Sequence, residues 1–295
     1  MSKAIKEQIP IIVGVTGHRD IVEEDKEAIR HCVRNSLREI LQMCNCEKSK
    51  VPVIMLNGFA QGADMLCAEV AFDLGIPVYA VLPCGEDEYA KSFDNAEDKA
   101  KLHGFLAKAQ RQIIAPDIEQ NRERMNIDED SYRYRQLGIY IAAQSHVLIA
   151  LWDGGAPKTK YGCGTVEVIQ FALEHNFLNK DWLFSQGKTN NSAVVWINSR
   201  RQKNPEPAKP IKSIWITSSI LESSKGIKKE QETNSNDEFE DAVNKALNSI
   251  AADESSPKSA HYVTSSKPPQ FLKQIVAQIS KYNKQNAPNG DSGEV

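Results

Sequence analysis

Five short apolar runs, each ended by glycine, proline or a polar residue and most parted by helical stripes, restrict this chain more than any other feature. They read IPIIVGVTG (Ile9 to Gly17), VPVIMLNGFA (Val51 to Ala60), IPVYAVLP (Ile76 to Pro83), SHVLIALWD (Ser145 to Asp153) and NSAVVWIN (Asn191 to Asn198). Unbroken apolar runs of this length, without polar alternation, mark strands covered on both faces. Between them, Glu23 to Cys44 carries Ile29, Val33, Leu37, Ile40 and Leu41 at helical spacing. Further helices are expected at Ala63 to Leu74, Ala96 to Gln110, Tyr132 to Gln144 and Thr165 to Glu174, with a short strand near Gln112 to Ala115. Strands separated by helices call for an α/β fold: a Rossmann-like, mostly parallel sheet with helices on both faces.

After Ser199 the composition changes. RRQKNPEPAKP and SSKGIKKEQETNSND are polar and rich in proline, lysine or serine. The reading divides the chain into a Rossmann-like domain at 10–199 and a polar linker at 200–237 with one possible extra strand, SIWITSS. A small helical extension follows at 238–285, then a disordered tail at 286–295. Two helices are expected in the extension, at Glu238 to Ile250 and Pro269 to Tyr282. The second carries Phe271, Leu272, Ile275, Val276 and Ile279 on one face.

In parallel sheets of this kind, ligands lie outside the carboxyl ends of the strands, near the point where strand order reverses. Three small-residue turns fall at such ends. In GVTGHRD, Gly17 allows close backbone approach, and His18 and Arg19 stand where an anion could be neutralised, Arg19 by its two-pronged fork. In LNGFAQGADMLCAE, Gly58 closes a strand while Gly62 and Asp64 open a helix; an aspartate there also serves as a helix cap. In WDGGAPKTKYGCGTVEV, Gly162, Gly164 and Thr165 form a helix start with little bulk, suited to phosphate. Asp153 stands at the strand end and Glu167 in the first helical turn, each placed to accept ribose hydroxyls; the helix dipole alone also favours Glu167. Arg133 and Arg135 are further candidates for phosphate, and Trp152 and Tyr134 for stacking on a base, though both rings equally suit packing.

The bulk numbers narrow the classes. Net charge is −3 and the sequence pI about 6.1, which leads to the expectation of no nucleic-acid partner. No apolar run approaches a bilayer span and MSKAIKEQIP has no signal-peptide core, so a cytoplasmic protein with no membrane insertion is expected. The six cysteines (Cys32, Cys44, Cys46, Cys67, Cys84 and Cys163) lack paired metal-ligand spacing, so neither a metal nor a cofactor is expected. A Walker A motif, an ordinary GxGxxG and a G-x-S-x-G elbow are all missing.

The blocks IIVGVTGHRD, LNGFAQGADMLCAEVAFDLGIPVYAVLP, YRQLGIYIAAQSHVLIALWDG and GCGTVEVIQFA, taken in order, resemble the SLOG (Smf/DprA–Lonely Guy) superfamily from about Pro10 to Ser199. They are most similar to its bacterial defence and nucleotide-signalling members. The resemblance implies a Rossmann-like domain that binds a nucleotide-derived small molecule. Some relatives sense cyclic ADP-ribose-like signals made by TIR-domain enzymes, and Lonely Guy relatives cleave the N-glycosidic bond of nucleoside monophosphates with a PGGxGTxxE motif and an upstream arginine. Gly162, Gly164 and Thr165 match that motif. The glutamate position, however, falls on Val168, with Glu167 one residue early and about 100° around the helix. The arginine position falls on Leu137, with Arg135 two residues upstream. The expectation is therefore a sensor of a nucleotide-derived second messenger; the alternative is a phosphoribohydrolase using Glu167 and Arg135. A homo-oligomer and an effector-protein partner are implied in the same way.

Overall fold

The computed structural model describes residues 8–46, 49–117, 122–123, 126–155, 164–174, 192–205, 211–218 and 262–286. The apolar runs become strands β1 (Ile11–Gly17), β2 (Val53–Asn57), β3 (Val78–Leu82), β5 (Val147–Trp152) and β6 (Ala193–Asn198). They are joined by β4 (Arg111–Ile114), β7 (Ser213–Ser218) and β8 (Tyr262–Ser265) in one sheet of order β4-β3-β2-β1-β5-β6-β7-β8. Strands β1 to β6 pair in parallel; β7 pairs antiparallel with β6, and β8 antiparallel with β7.

The two faces of the sheet explain why the runs are apolar without alternation. Val147, Ile149 and Leu151 of β5 enter one core, and Leu148, Ala150 and Trp152 enter the other. On β6, Ala193, Val195 and Ile197 oppose Val194 and Trp196 in the same way. Side chains alternate faces along a strand, so a strand covered on both sides must be apolar throughout.

The first face is covered by α1 (Lys26–Cys44), α2 (Ala63–Asp73), α4 (Ala96–Lys108) and α7 (Gln270–Gln285), and the short helix α3 (Glu86–Ala90) adds Tyr89 there. The second face is covered by α5 (Glu129–Gln144) and α6 (Thr165–Glu174). Helix α5 starts earlier than its apolar stripe suggests, because the Asp128 carboxylate accepts from the Ser131 amide and caps it. Beyond residue 199, β7 extends the same sheet and Phe271, Leu272 and Val276 of α7 join the first core. Strand β8 is not foreseen from sequence. The expected helix at Glu238 to Ile250 and the tail from 287 lie outside the described residues. Among the described residues, no helix is long and apolar enough to cross a membrane.

Candidate ligand site at the carboxyl rim of the sheet

Strand order reverses beside β1, whose chain continues to β2 on one side while β5 flanks it on the other. The first two small-residue turns and the described ends of the third (residues 153–155 and 164–165) meet at the carboxyl ends of these strands. His18 and Arg19 follow β1 directly, and the His18 amide donates to the Leu151 carbonyl of β5 at 3.3 Å. Gly62 precedes α2 with φ +74°, and a Cβ on it would lie 2.3 Å from the Arg19 carbonyl oxygen. A Cβ on Gly17 would lie 2.3 Å from that of Ala63. These glycines therefore let the first and second turns touch, and the Ala63 amide donates to the His18 carbonyl at 3.1 Å.

The first and third turns are joined by side chains. His18 Nε2 lies 3.1 Å from Asp153 Oδ1, and His18 Nδ1 lies 3.4 Å from Thr165 Oγ1 at the start of α6. With Nε2 protonated the imidazole donates to Asp153 and accepts from Thr165. Burial pushes the Asp153 carboxyl up, but hydrogen bonds from His18 and the Gly155 amide, and the charges of His18 and Arg201, hold it at about 2. It is an anion at neutral pH. Gly164, one residue before α6, faces open space on the side where a Cβ would stand.

Next to this junction is a cavity of about 460 Å³ lined by Thr16, Gly17, Arg19, Asp64, Tyr89 and Tyr134, with Ser92 and Asp130 also on its wall. That volume falls in the usual range for small-molecule sites. The Arg19 guanidinium lies 5.4 Å from the Tyr134 ring centre and 5.9 Å from that of Phe93, and donates to the Ser92 carbonyl at 3.4 Å. Burial works against its charge, but Tyr89, Tyr134 and Asp64 outweigh it, and the net shift is upward. Asp64 is almost fully buried and receives one backbone bond, from the Ala60 amide at 3.3 Å. Burial pushes its carboxyl up to about 7, against that amide and the Arg19 charge. The cavity therefore holds a permanent cation and a carboxyl near its titration point.

The remaining candidates lie elsewhere. Gly58 backs the Asp64 carboxylate, where a Cβ would stand 2.9 Å from Oδ2. Arg133 pairs with Glu88, Asp117 and Glu129 on the outer side of α5. Arg135 and Glu167 form a buried ion pair between α5 and α6, with the guanidinium 4.7 Å from the Phe171 ring centre; neither lines the cavity. Gly162 lies outside the described residues. Of the two rings considered for stacking, Tyr134 lines the cavity, whereas Trp152 is fully buried against Trp196. No group of three or more metal-ligating side chains is found among the described residues.

Sequence reading missed Tyr89, Ser92 and Phe93. The aromatic residues of EDEYAKSF stand out within a charged stretch and were the available signal. It also treated RRQKN as a plain connector. There Arg200 grips Asp25 with two bonds of 2.7 Å, and Arg201 Nε donates to Asp20 at 2.8 Å, fixing the loop that carries His18 and Arg19.

Fold and crevice define the class: a Rossmann-like α/β protein with a cavity of mixed polar and apolar lining at the switch point of its sheet. Among solved structures, the chain is similar to DNA processing protein A (DprA) from Streptococcus pneumoniae, at 13% identity and a TM-score of 0.35, over 56% of this chain and 47% of that one. It is also similar to DprA from Helicobacter pylori, whose structure concerns its single-stranded DNA binding mode, at 14% identity and a TM-score of 0.36, over 56% and 62%. The chain thus spans less than two thirds of either neighbour, and at such identity the likeness is one of fold. No protein-family profile and no curated protein matches the sequence. One expectation is corrected here. Acidic net charge led to the exclusion of a nucleic-acid partner, yet the Helicobacter neighbour binds single-stranded DNA. Net charge is a poor guide because affinity for phosphate is set by the local field of a groove.

Proposed function

We propose that this chain binds a nucleotide-derived small molecule in the crevice at the carboxyl ends of β1 and β5, and that it acts as a sensor. The observation that carries the reading is the cavity beside the switch point, where Arg19 stands between aromatic rings. Phosphate would meet Arg19 and the first amides of α6. A base or ribose would lie toward Tyr134 and Asp64. On the SLOG resemblance, the ligand is a second messenger of the ADP-ribose or cyclic-nucleotide kind in a bacterial defence or signalling system. The same resemblance supports a cytoplasmic homo-oligomer that passes the signal to an effector.

The rival reading, cleavage of an N-glycosidic bond, requires Arg135 and Glu167 to face substrate. Their pairing with each other between α5 and α6 favours binding without cleavage. Calorimetry with a panel of ADP-ribose, cyclic ADP-ribose, cyclic nucleotides and nucleoside monophosphates tests this, together with chromatography for released base. The expected result is binding of one panel member without turnover, weakened at least tenfold in Arg19→Ala, as loss of a charge-assisted bond of about 1.5–3 kcal/mol implies. Release of free base that Glu167→Gln abolishes would overturn it. So would a short single-stranded oligonucleotide binding more tightly than every small molecule tested.

A further inference from the structure

The crevice has an outer and an inner end. On α5, Asp130, Tyr134, Leu137, Gly138 and Ile141 line the cavity. They fall on one side of the helix and, at 1.5 Å per residue, extend over about 16 Å. Tyr134 stands toward the outer end, beside Arg19. Ile141 stands at the inner end, where α5 closes on β1: a Cβ on Gly14 would lie 2.7 Å from Ile141 Cγ2. The inner lining is apolar, formed by Val15, Leu137, Ile141 and Val168.

Two polar side chains interrupt that lining. Thr16 and Asp64 are each more than nine-tenths buried, and both border the cavity. Asp64 Oδ2 is turned to the backbone: it accepts from the Ala60 amide at 3.3 Å. A Cβ on Gly58 would lie 2.9 Å from that oxygen and 3.3 Å from Leu137 Cδ2, which places the carboxyl next to Leu137 in the inner half. Asp64 Oδ1 and the Thr16 hydroxyl have no hydrogen-bond partner among the described residues, and both keep surface open to the cavity. A ligand that displaces water here must replace its hydrogen bonds at both atoms.

The surroundings of Asp64 set its hydrogen-bonding sense. Arg19, after β1, acts on it through its charge, but no salt bridge joins the two. Cys67 of α2 and Tyr89 of α3 also interact with it; burial pushes both up, so both are neutral. Asp130 and Tyr134 of α5 stand one to two turns nearer the outer end. Burial without an ion pair favours the neutral acid. With Oδ2 taken by the Ala60 amide, the proton belongs on Oδ1, which then donates into the cavity. The Thr16 hydroxyl is free to supply the complementary acceptor. A planar base suits this end, because its faces are apolar and only its edge is polar. A ribose would bring more hydroxyls than two groups can pair, and a phosphate would bury its charge among apolar side chains.

We infer that the inner end of the crevice reads the lactam edge of an oxo base, where an N–H adjoins a carbonyl: Asp64 donates to the carbonyl oxygen and the Thr16 hydroxyl accepts from the N–H. Hypoxanthine, guanine and uracil carry that edge. Adenine and cytosine present the reverse, an amino group beside a bare ring nitrogen. The inference rests on the reading of the crevice as a nucleotide site and narrows it to nucleotides of oxo bases, with Thr16 and Asp64 as the residues that set specificity.

Calorimetry on the full chain with matched pairs tests it: inosine against adenosine and uridine against cytidine, each as the 5′-monophosphate and the 3′,5′-cyclic phosphate, at pH 6 and pH 8. At pH 6 an oxo compound should bind about tenfold or more tighter than its amino counterpart, since a site built to pair a ligand group rejects the analogue lacking it. At pH 8, where Asp64 has lost its proton, the preference should shrink to about twofold or less. Asp64→Asn, whose amide donates at either pH, should keep the oxo preference at both. Thr16→Val should weaken the oxo compound by about threefold or more and leave the amino compound unmoved. Equal binding of oxo and amino compounds at pH 6, or a wild-type preference that persists at pH 8, would overturn the inference and leave the crevice a nucleotide site. Binding of ADP-ribose with no heat from any oxo compound would do the same. No heat from any compound, ADP-ribose included, would overturn both readings.

Discussion

Asp64 is a buried carboxyl held far above its ordinary range, and it faces the cavity. A carboxyl raised to about 7 in the fold and near 3.9 in the unfolded chain keeps a proton, between those values, that the unfolded chain has released. Stability therefore falls as pH rises through this window: there is no penalty below about 4, and the full cost, of the order of 4 kcal/mol, is reached above 7. Asp153 acts in the opposite sense and in a different window. Held at about 2, it adds stability that is present at neutral pH and lost only as acid protonates it. Asp64→Asn keeps the shape and removes the titration. Urea unfolding at pH 5 and pH 8 should show wild type losing stability toward pH 8, while the asparagine variant stays nearly level. A wild-type profile as flat as that of the variant would refute the buried, near-neutral carboxyl. The same titration bears on ligand: an ionised Asp64 repels phosphate, so a phosphorylated compound should bind the crevice more tightly below pH 7 than above it.

Among the elements, the contact of α5 with α6 sets the wall of the crevice. The helices approach closely at Gly138, where a Cβ would lie 2.6 Å from Val168 Cγ2, and they share the Arg135–Glu167 pair. Gly138→Ala forces Val168 or the whole of α6 to shift, and overpacking of this kind costs about 1–3 kcal/mol. Because Val168 and Gly138 also line the cavity, the variant should show both a lowered unfolding midpoint and weakened ligand binding. Leu173→Ala, buried on the same helix but away from the cavity, should lower stability and leave binding intact. Here the division between what sequence tells and what it withholds is plain. The apolar runs announced five strands because covering both faces leaves no polar position to disguise them. Helix α6 was equally open to view. What Gly17, Gly62 and Gly138 touch was not, since each accommodates a neighbour distant in sequence. Arg135 and Glu167 read as ligand groups because nothing in one dimension says that their helices cross.

At the scale of the whole molecule, the part after residue 199 decides how the sheet is closed. Sequence reading found the apolar stripe of α7 but not its destination, and it missed β8, whose YVTS carries too little apolar pattern to announce a strand. In the fold, β7 needs β8 on its outer side, pairing from Trp215 with Ser265 to Ser218 with Tyr262. The first core needs Phe271, Leu272 and Val276, which are all nearly inaccessible. A chain ending at Asp237 would retain β7 as an open edge and uncover the apolar side of α1 that α7 protects. Unpaired edges beside exposed apolar surface lead to association. The truncated protein should elute as aggregate or unfold well below the full chain, whereas Leu272→Ala in the full chain should cost about 2–5 kcal/mol and remain monodisperse. Size-exclusion chromatography and thermal unfolding read both. A truncated chain that stays monodisperse with an unchanged midpoint would mean that β8 and α7 only decorate a sheet already complete at β7, and that α7 is free to leave it.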